Sequence, residues 1–291
     1  MRTRPTLTWT PTGEPWPRTT SLDEVEQTVA AGDVVVLSGA GLSTESGIPD
    51  YRGVEGSLRR HTPMTYEEFT GSLAARRRYW ARSHLGWRTI ARAAPNSGHR
   101  AVSMLRTRGY LCGVITQNVD GLHKAAGTPD AVELHGNLDR VICLGCRAIS
   151  TREDLDQRLR AANPGFDGAA TRINPDGDVE IADDVVQRFR LVDCTGCGSD
   201  TLKPDVVFFG ENVPPERVRQ CYDLVDGAAA LLVLGSSLTV MSGFRFVRHA
   251  AKAGKPVLIV NKGETRGDLH AAVRVDLPLG QALTDLVTRL T

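Results

Sequence analysis

The chain has 291 residues, 35 Lys plus Arg against 34 Asp plus Glu, a formal net charge of +1 and 41% hydrophobic residues. That length implies one large domain or two unequal ones, able to bury a core without disulfide staples, and the ordinary apolar content excludes wholesale disorder. No stretch approaches ~20 apolar residues, and the Pro/Thr-rich start (Pro5, Thr6, Pro11, Thr12, Pro15, Pro17) lacks the apolar centre of a secretory signal, so a soluble, cytoplasmic protein without a membrane span is expected.

Residues 1–20 read as an N-terminal arm. A helix is expected over 22–31, with Ser21 as N-cap and Glu24 at the capping-box position. Val34-Val35-Val36-Leu37 follows, a continuous apolar run that fits a strand buried on both faces. Similar runs recur at 111–116, 206–208, 229–234 and 257–260, separated by helical patterns at 99–108, 215–226, 243–253 and 281–290. Strands alternating with helices predict an α/β fold, a Rossmann-like doubly wound parallel sheet. This domain is expected to comprise 21–53, 96–140 and 203–291. Residues 54–95, helical in pattern, and 141–202, which carry cysteine pairs, break the rhythm and predict an inserted smaller domain. Neutral net charge conceals segregation. Residues 69–119 contain no acidic residue but nine Arg (76, 77, 78, 82, 88, 92, 100, 106 and 108), leaving 26 basic against 34 acidic residues elsewhere. The preference for Arg over Lys reads as the codon bias of a GC-rich bacterial genome.

Four of six cysteines form two pairs, Cys143-Leu-Gly-Cys146 and Cys194-Thr-Gly-Cys197. Each glycine lets the chain fold back so that two thiolates face one centre, and four thiolates make a closed, structural zinc site. A redox role for either pair is the alternative, and the doubling of the motif favours zinc. Cys112 and Cys221 read as buried thiols.

The first strand ends in Gly39-Ala40-Gly41-Leu42-Ser43-Thr44, a loop whose glycines let backbone approach a pyrophosphate. Thr44 stands where a dinucleotide fold usually has its third glycine. No strand ending in an acidic ribose ligand follows about 20 residues later; instead the chain continues as Glu45-Ser46-Gly47-Ile48-Pro49-Asp50-Tyr51-Arg52, which disfavours a hydride-transferring dehydrogenase. Polar loops also end three other strands: Gln117-Asn118-Val119-Asp120, Gly235-Ser236-Ser237 and Asn261-Lys262-Gly263. Each alone is more often a turn; together they should converge on one crevice at the carboxyl ends of the strands. His135, after Ala131-Val132-Glu133-Leu134 and before Gly136, is a candidate general base, although composition alone favours a structural histidine.

These segments, with Lys203-Pro204-Asp205-Val206-Val207-Phe208-Phe209-Gly210-Glu211, resemble in order the signature set of the sirtuins, NAD-dependent protein lysine deacylases, over about residues 20–290. Thr44-Glu45-Ser46, Tyr51, Arg78-Tyr79-Trp80-Ala81-Arg82 and the Pro175-Asp176-Gly177-Asp178 insertion resemble the class II branch. The resemblance implies that NAD is consumed as co-substrate. The acyl oxygen of a modified lysine displaces nicotinamide, a histidine assists a ribose hydroxyl, and the products are free lysine, nicotinamide and O-acyl-ADP-ribose. It implies His135 and Asn118 as catalytic residues. For NAD it implies Gly39, Ala40, Gly41, Thr44, Asp50, Tyr51, Arg52, Gln117, Asn118, Asp120, Gly235, Ser236, Ser237, Asn261, Lys262, Gly263 and Leu279. Val207, Phe209, Gly210 and Glu211 would pair with an acylated protein segment, and one structural zinc would sit on Cys143, Cys146, Cys194 and Cys197. Tyr79 and Arg82, three apart on a helix, match the pair that class III members use for acidic acyl groups; the alternative is a core tyrosine and a solvated arginine. Protein mono-ADP-ribosylation or NAD hydrolysis in the same pocket is the competing activity. No direct nucleic-acid partner is expected, because a zinc module binding nucleic acid through the Arg-rich segment would leave the strand-end loops unexplained; a monomer is expected.

Overall fold

The computed structural model describes residues 16–51, 63–166, 174, 179 and 181–291. Arg52 and the Pro175-Asp176-Gly177-Asp178 insertion lie outside them, as does most of the N-terminal arm. In chain order the helices and strands are α1 (Asp23–Ala30), β1 (Val34–Ser38), α2 (Tyr66–Gly71), α3 (Leu73–Ile90), α4 (Ser97–Thr107), β2 (Leu111–Thr116), α5 (Leu122–Ala125), β3 (Val132–Glu133), β4 (Gly136–Cys143), β5 (Ile149–Thr151), α6 (Arg152–Ala162), α7 (Asp183–Arg188), β6 (Leu202–Val206), α8 (Pro215–Gly227), β7 (Ala230–Leu234), α9 (Met241–Lys252), β8 (Val257–Val260), β9 (Val273–Val275) and α10 (Leu279–Arg289).

Successive side chains of an extended chain point to opposite faces, and the apolar runs use both. Val34 and Val36 of β1 pack with α1, α4 and α10 on one face, while Val35 and Leu37 pack with α8 and α9 on the other. The same alternation runs along β7, with Leu232 and Leu234 on the first face and Leu231 and Val233 on the second. Six parallel strands result, in the order β3-β2-β1-β7-β8-β9. The chain leaves β1 toward β2 on one side and later returns to β7 on the other, so the strand order reverses between β1 and β7. This is the doubly wound architecture, with its switch point there.

A second sheet, β5-β4-β6, is antiparallel. It packs with α3 and α6 through Tyr79, Trp80, Trp87, Leu138, Val141, Leu155 and Leu159. Buried Arg152 lies over the rings of Trp80 (5.2 Å) and Trp87 (4.7 Å), and His84 Nδ1 meets Asp156 Oδ1 at 2.7 Å. Arginines of the acid-free segment find carboxylates elsewhere in the chain: Arg76 pairs with Asp200 at 2.7 Å, Arg106 with Asp130 at 2.7 Å, and Arg78 with Glu68.

Two sequence expectations are corrected. The first helix begins at Asp23, with Leu22 at the N-cap and no capping box; Ser21 Oγ instead accepts from Asp23 N at 3.1 Å, a local turn that competes with the cap. Residues 206–208 are not a strand of the parallel sheet. The strand is Leu202–Val206, antiparallel to β4 at the edge of the small sheet, where Pro204, which has no N–H to donate, is tolerated.

Candidate active site and metal centre

At the switch point the loops after β1 and β7 cross at backbone distance. Gly41 N donates to Gly235 O at 2.9 Å, and a Cβ at Gly39 would lie 2.7 Å from Ser236 Cβ. Gly235 has φ +61°, and a Cβ there would stand 2.5 Å from Leu279 Cδ1. The glycines that the sequence offers to a pyrophosphate are thus also required for the two loops to pack. Above them opens a crevice of about 1110 Å³. Gly39, Ala40, Gly41, Thr44, Asp50, Tyr51, Gln117, Asn118, Asp120, Gly235, Ser236, Ser237, Asn261, Lys262, Gly263 and Leu279 all line it, as do His135, Tyr79, Val207, Phe209, Gly210 and Glu211. Arg82 is not among the lining residues, although Tyr79 is; Tyr79 packs edge-on against Phe69 (5.4 Å).

The loop after β2 is braced from several directions. Gln117 Nε2 donates to Ser236 Oγ at 2.8 Å, tying that loop to the one after β7. Asn118 Nδ2 donates to Gly39 O (3.1 Å) and Ser43 Oγ (3.0 Å), while Ser43 Oγ donates to Asp120 Oδ2 (2.6 Å). Burial raises the Asp120 carboxyl above its ordinary value, opposed by the bonds from Ser43 and from Leu122 N. On the far side, Asn261 Nδ2 donates to Gly263 O at 2.9 Å, and buried Arg274, paired with Asp268 at 2.9 Å, also reaches Gly263 O. Glu45 Oε1 accepts from Gly280 N at 3.0 Å, fastening the first loop to the start of α10.

His135 sits between the two sheets. Its backbone oxygen accepts from Val207 N at 2.8 Å, just beyond β6. Its ring meets Gln117 O through Nδ1 at 2.9 Å and Ser242 Oγ through Nε2 at 2.8 Å. A carbonyl can only accept, which assigns the proton to Nδ1 and leaves the Nε2 lone pair to the crevice, where the Ser242 hydroxyl donates to it. Burial lowers this imidazole to about 4, against the opposing effect of the Gln117 bond, with Arg217 and Arg245 adding to the lowering. At neutral pH it is therefore uncharged and able to take a proton at Nε2. Gly136 makes this placement possible: its φ is +87°, and a Cβ would lie 1.9 Å from Asp205 O.

The segment after β6 forms one wall. Tyr66 N donates to Phe209 O at 2.9 Å, so one backbone edge is occupied, while Tyr51 meets the Phe209 ring edge-on at 6.2 Å. Glu211 turns back into the loop, accepting from Phe208 N (2.8 Å) and pairing with buried Lys203 (3.1 Å). Sequence reasoning missed Ser43, Ser242 and Arg245. Ser43 lies inside the quoted glycine loop, where the motif could have flagged it; Ser242 and Arg245 lie on α9, where no motif marks them.

The four expected cysteines converge, with all sulfurs within 4.8 Å of one another. Cys143 and Cys197 Sγ are 3.6 Å apart, Cys146 and Cys194 Sγ 3.8 Å. A tetrahedron of thiolates ~2.3 Å from zinc has edges of about 3.8 Å, whereas a disulfide would bring sulfurs to ~2 Å. The donor set fits zinc, with all four positions taken by protein.

A doubly wound sheet whose switch-point crevice holds a neutral histidine, joined to a four-thiolate module, defines an α/β protein with a ligand crevice at its switch point and a cysteine centre that fits zinc. The chain belongs to the Sir2 family, whose model matches residues 39–242. It is 64% identical over 290 residues to "NAD-dependent protein deacetylase 1" of Streptomyces coelicolor, covering 100% of this chain and 97% of that protein. It is 48% identical to a protein of the same name in Corynebacterium efficiens, over 93% of this chain and 98% of that one. Among solved structures, Sir2 with a deacetylated p53 peptide and 3′-O-acetyl ADP-ribose superposes with a TM-score of 0.75 at 28% identity, covering 92% of this chain and 98% of the other. Sir2 with a p53 peptide and NAD+ gives 0.74 at 28% identity, with the same coverage.

Proposed function

We propose that the chain is an NAD-dependent protein lysine deacetylase that yields free lysine, nicotinamide and O-acyl-ADP-ribose. The observation that carries this reading is the Nε2 lone pair of His135, held toward a crevice that glycine-rich loops border on one side and the Val207–Gly210 segment on the other. Bound NAD supplies a ribose carbon bearing a leaving group, nicotinamide. In this reading Gly39, Ala40, Gly41, Thr44, Asp50, Tyr51, Arg52, Gln117, Asn118, Asp120, Gly235, Ser236, Ser237, Asn261, Lys262, Gly263 and Leu279 hold the dinucleotide. Asn118, oriented by Gly39 O and Ser43, fixes the reacting ribose, and His135 takes a proton at Nε2 from a ribose hydroxyl. Tyr51, beside Phe209, excludes water. Val207, Phe209 and Gly210 offer backbone to an extended acylated peptide, a mode that reads shape more than sequence; Glu211 holds that loop in form through Phe208 N and Lys203. Tyr79 contributes an apolar wall for the acyl chain. The same reading divides the chain at the expected boundaries, with 54–95 and 141–202 as the small domain, and assigns it to the class II branch on Thr44-Glu45-Ser46 and Tyr51. A cytoplasmic location accords with four thiols arranged for a metal rather than for disulfides.

The test is incubation with NAD and an acetyl-lysine peptide, with mass analysis of the nucleotide product. O-acetyl-ADP-ribose is expected; free or protein-bound ADP-ribose would instead identify hydrolysis or ADP-ribosyl transfer. His135→Ala should lower turnover by ~10²- to 10⁴-fold while NAD binding persists. Full turnover by that variant would overturn the assignment.

A further inference from the structure

Beside the crevice lies a second recess, of about 600 Å³, lined by Tyr222, Arg245, Arg248, His249, Lys252 and His270. Arg245, Arg248 and Lys252 stand at i, i+3 and i+7 on α9 and so share one face of the helix. Arg245 borders both spaces. One helical turn before it, Ser242 touches His135 Nε2 at 2.8 Å. The recess therefore adjoins the side of the crevice at which Ser242 meets His135.

Several arginines elsewhere in the fold are neutralised by carboxylates. Arg76, Arg106, Arg140, Arg217 and Arg274 are each paired with a carboxylate at 2.7 to 3.0 Å. Among the described residues the one carboxylate paired with a recess side chain is Asp226, 2.6 Å from His249, and none pairs with Arg245, Arg248 or Lys252. Arg248 and Lys252 are exposed. Their field acts on their surroundings: Arg248 adds to the lowering that burial imposes on His270, and Arg245 does the same for His135. Met241, 38% exposed, begins α9, and Leu269, 57% exposed, precedes His270, so apolar surface is also present on these two elements. Unneutralised cations with flanking apolar surface suit a polypeptide bearing acidic side chains.

We infer that the α9 recess is a specificity site that receives acidic residues of the substrate protein next to the acylated lysine, with Arg248 and Lys252 as its outer contacts. The inference rests on the deacetylase reading above and adds a substrate preference to it. From Arg245 to Lys252 the helix rises ~10 Å, the span of about three residues of extended chain at ~3.3 Å each. Because these pairs form in ground state and transition state alike, they act on KM and not on kcat.

The experiment uses the full chain and labelled acetyl-lysine peptides that differ only in carrying three Glu or three Gln on one side or the other of the lysine. Kd is read by anisotropy, and KM and kcat with NAD, at about 30 and about 300 mM NaCl, where screening differs several-fold. At low salt one Glu peptide should bind about tenfold tighter than its Gln counterpart, and the difference should shrink at high salt. Arg248→Gln with Lys252→Gln should erase the preference and leave the Gln peptide's Kd and kcat unchanged. Arg248→Glu with Lys252→Glu should transfer the preference to a Lys-flanked peptide. Equal Kd for Glu and Gln peptides, or a preference that survives the double variants, overturns the inference. So does a single-stranded oligonucleotide of matching charge that binds more tightly than the Glu peptide and is lost in the same variants. If the Glu preference and its loss in the variants hold but no peptide is turned over, the deacetylase reading falls and the recess stands. If the peptides are turned over without preference, the deacetylase reading stands and the recess falls.

Discussion

His99 and His123 are 0% and 2% exposed, with rings edge-to-face at 5.1 Å. His123 Nε2 meets Ser38 Oγ at 2.8 Å and His99 Nδ1 meets Asn96 Oδ1 at 3.0 Å; His123 Nδ1 and His99 Nε2 have no partner among the described residues. A proton added to either ring would create a buried cation beside another histidine. Burial accordingly lowers His99 to about 4 and His123 to about 3, with nearby positive charge, Arg100 for the first and His99 for the second, adding to it. The unfolded chain titrates both near ~6.5. Between these values the unfolded state holds more protons, so stability is complete above about pH 6.5 and falls as pH drops toward the folded values. Between pH ~8 and pH ~5.5 each histidine removes about 1.4 kcal/mol, together about 3 kcal/mol, a large share of a typical 5 to 15 kcal/mol margin. Urea unfolding at both pH values, with zinc in excess, measures the loss. His99→Gln cannot titrate and retains the reach for a capping-box contact, so its loss should be smaller than the wild type's by about 1.4 kcal/mol; contributions common to both proteins, from zinc and from His135, which burial also lowers to about 4, cancel in the difference. A wild-type stability that does not change between the two pH values, or an undiminished slope in His99→Gln, would refute the reasoning.

Ser242→Ala removes the hydroxyl that stabilises neutral His135 at Nε2, so the acid limb of the kcat/KM profile should move toward neutral pH; an unshifted limb would deny the contact any role. Gly136→Ala puts a methyl 1.9 Å from Asp205 O at φ +87°, whereas Gly165→Ala has φ +76° but nothing within 4 Å. The first should cost several kcal/mol and the second about 1, and comparable losses in chemical unfolding would contradict the packing described. Lys203→Met leaves Glu211 without its partner in the loop below Phe209. The peptide KM should rise with the NAD Kd unchanged, and an unaltered peptide KM would count against the loop's place in substrate binding.

Strands β1, β2, β7 and β8 were legible because a strand covered on both faces must be apolar throughout. β4 was not: Gly136-Asn137-Leu138-Asp139-Arg140 interrupts the apolar pattern with polar residues, and Asp139 is exposed. β9 was hidden by Arg274, which reads as a surface residue yet is buried on Asp268 to hold the loop after β8. The crevice loops could be read because ligand-facing turns concentrate Gly, Asn, Asp and Ser at strand ends. Ser242 and Arg245 carry no such signal, since a helix face acquires its role only from what tertiary packing sets opposite it. The charge segregation was visible as a count but not as a location: Arg76, Arg78 and Arg106 of the acid-free segment meet carboxylates, whereas among the described residues Arg245, Arg248 and Lys252 of α9 pair with none.

The position of His135 also gives the metal centre a route to catalysis. Cys143 ends β4 and pairs with Leu202 at the start of β6; at the other end of the same ladder Gly136 pairs with Val206, and Val207 N then holds the His135 carbonyl. Withdrawing zinc from the cysteines would loosen this ladder at its far end, while most of the crevice rests on the parallel sheet. Zinc removal should therefore lower deacetylation far more than NAD affinity, and Cys197→Ser should do the same with one metal fewer per chain. NAD titration by calorimetry, turnover assays and metal analysis, before chelation and after zinc is restored, measure the separation. If NAD affinity and turnover fell in parallel, the module would act by holding the whole fold, and the ladder from Cys143 to His135 would have no separate part in positioning the imidazole.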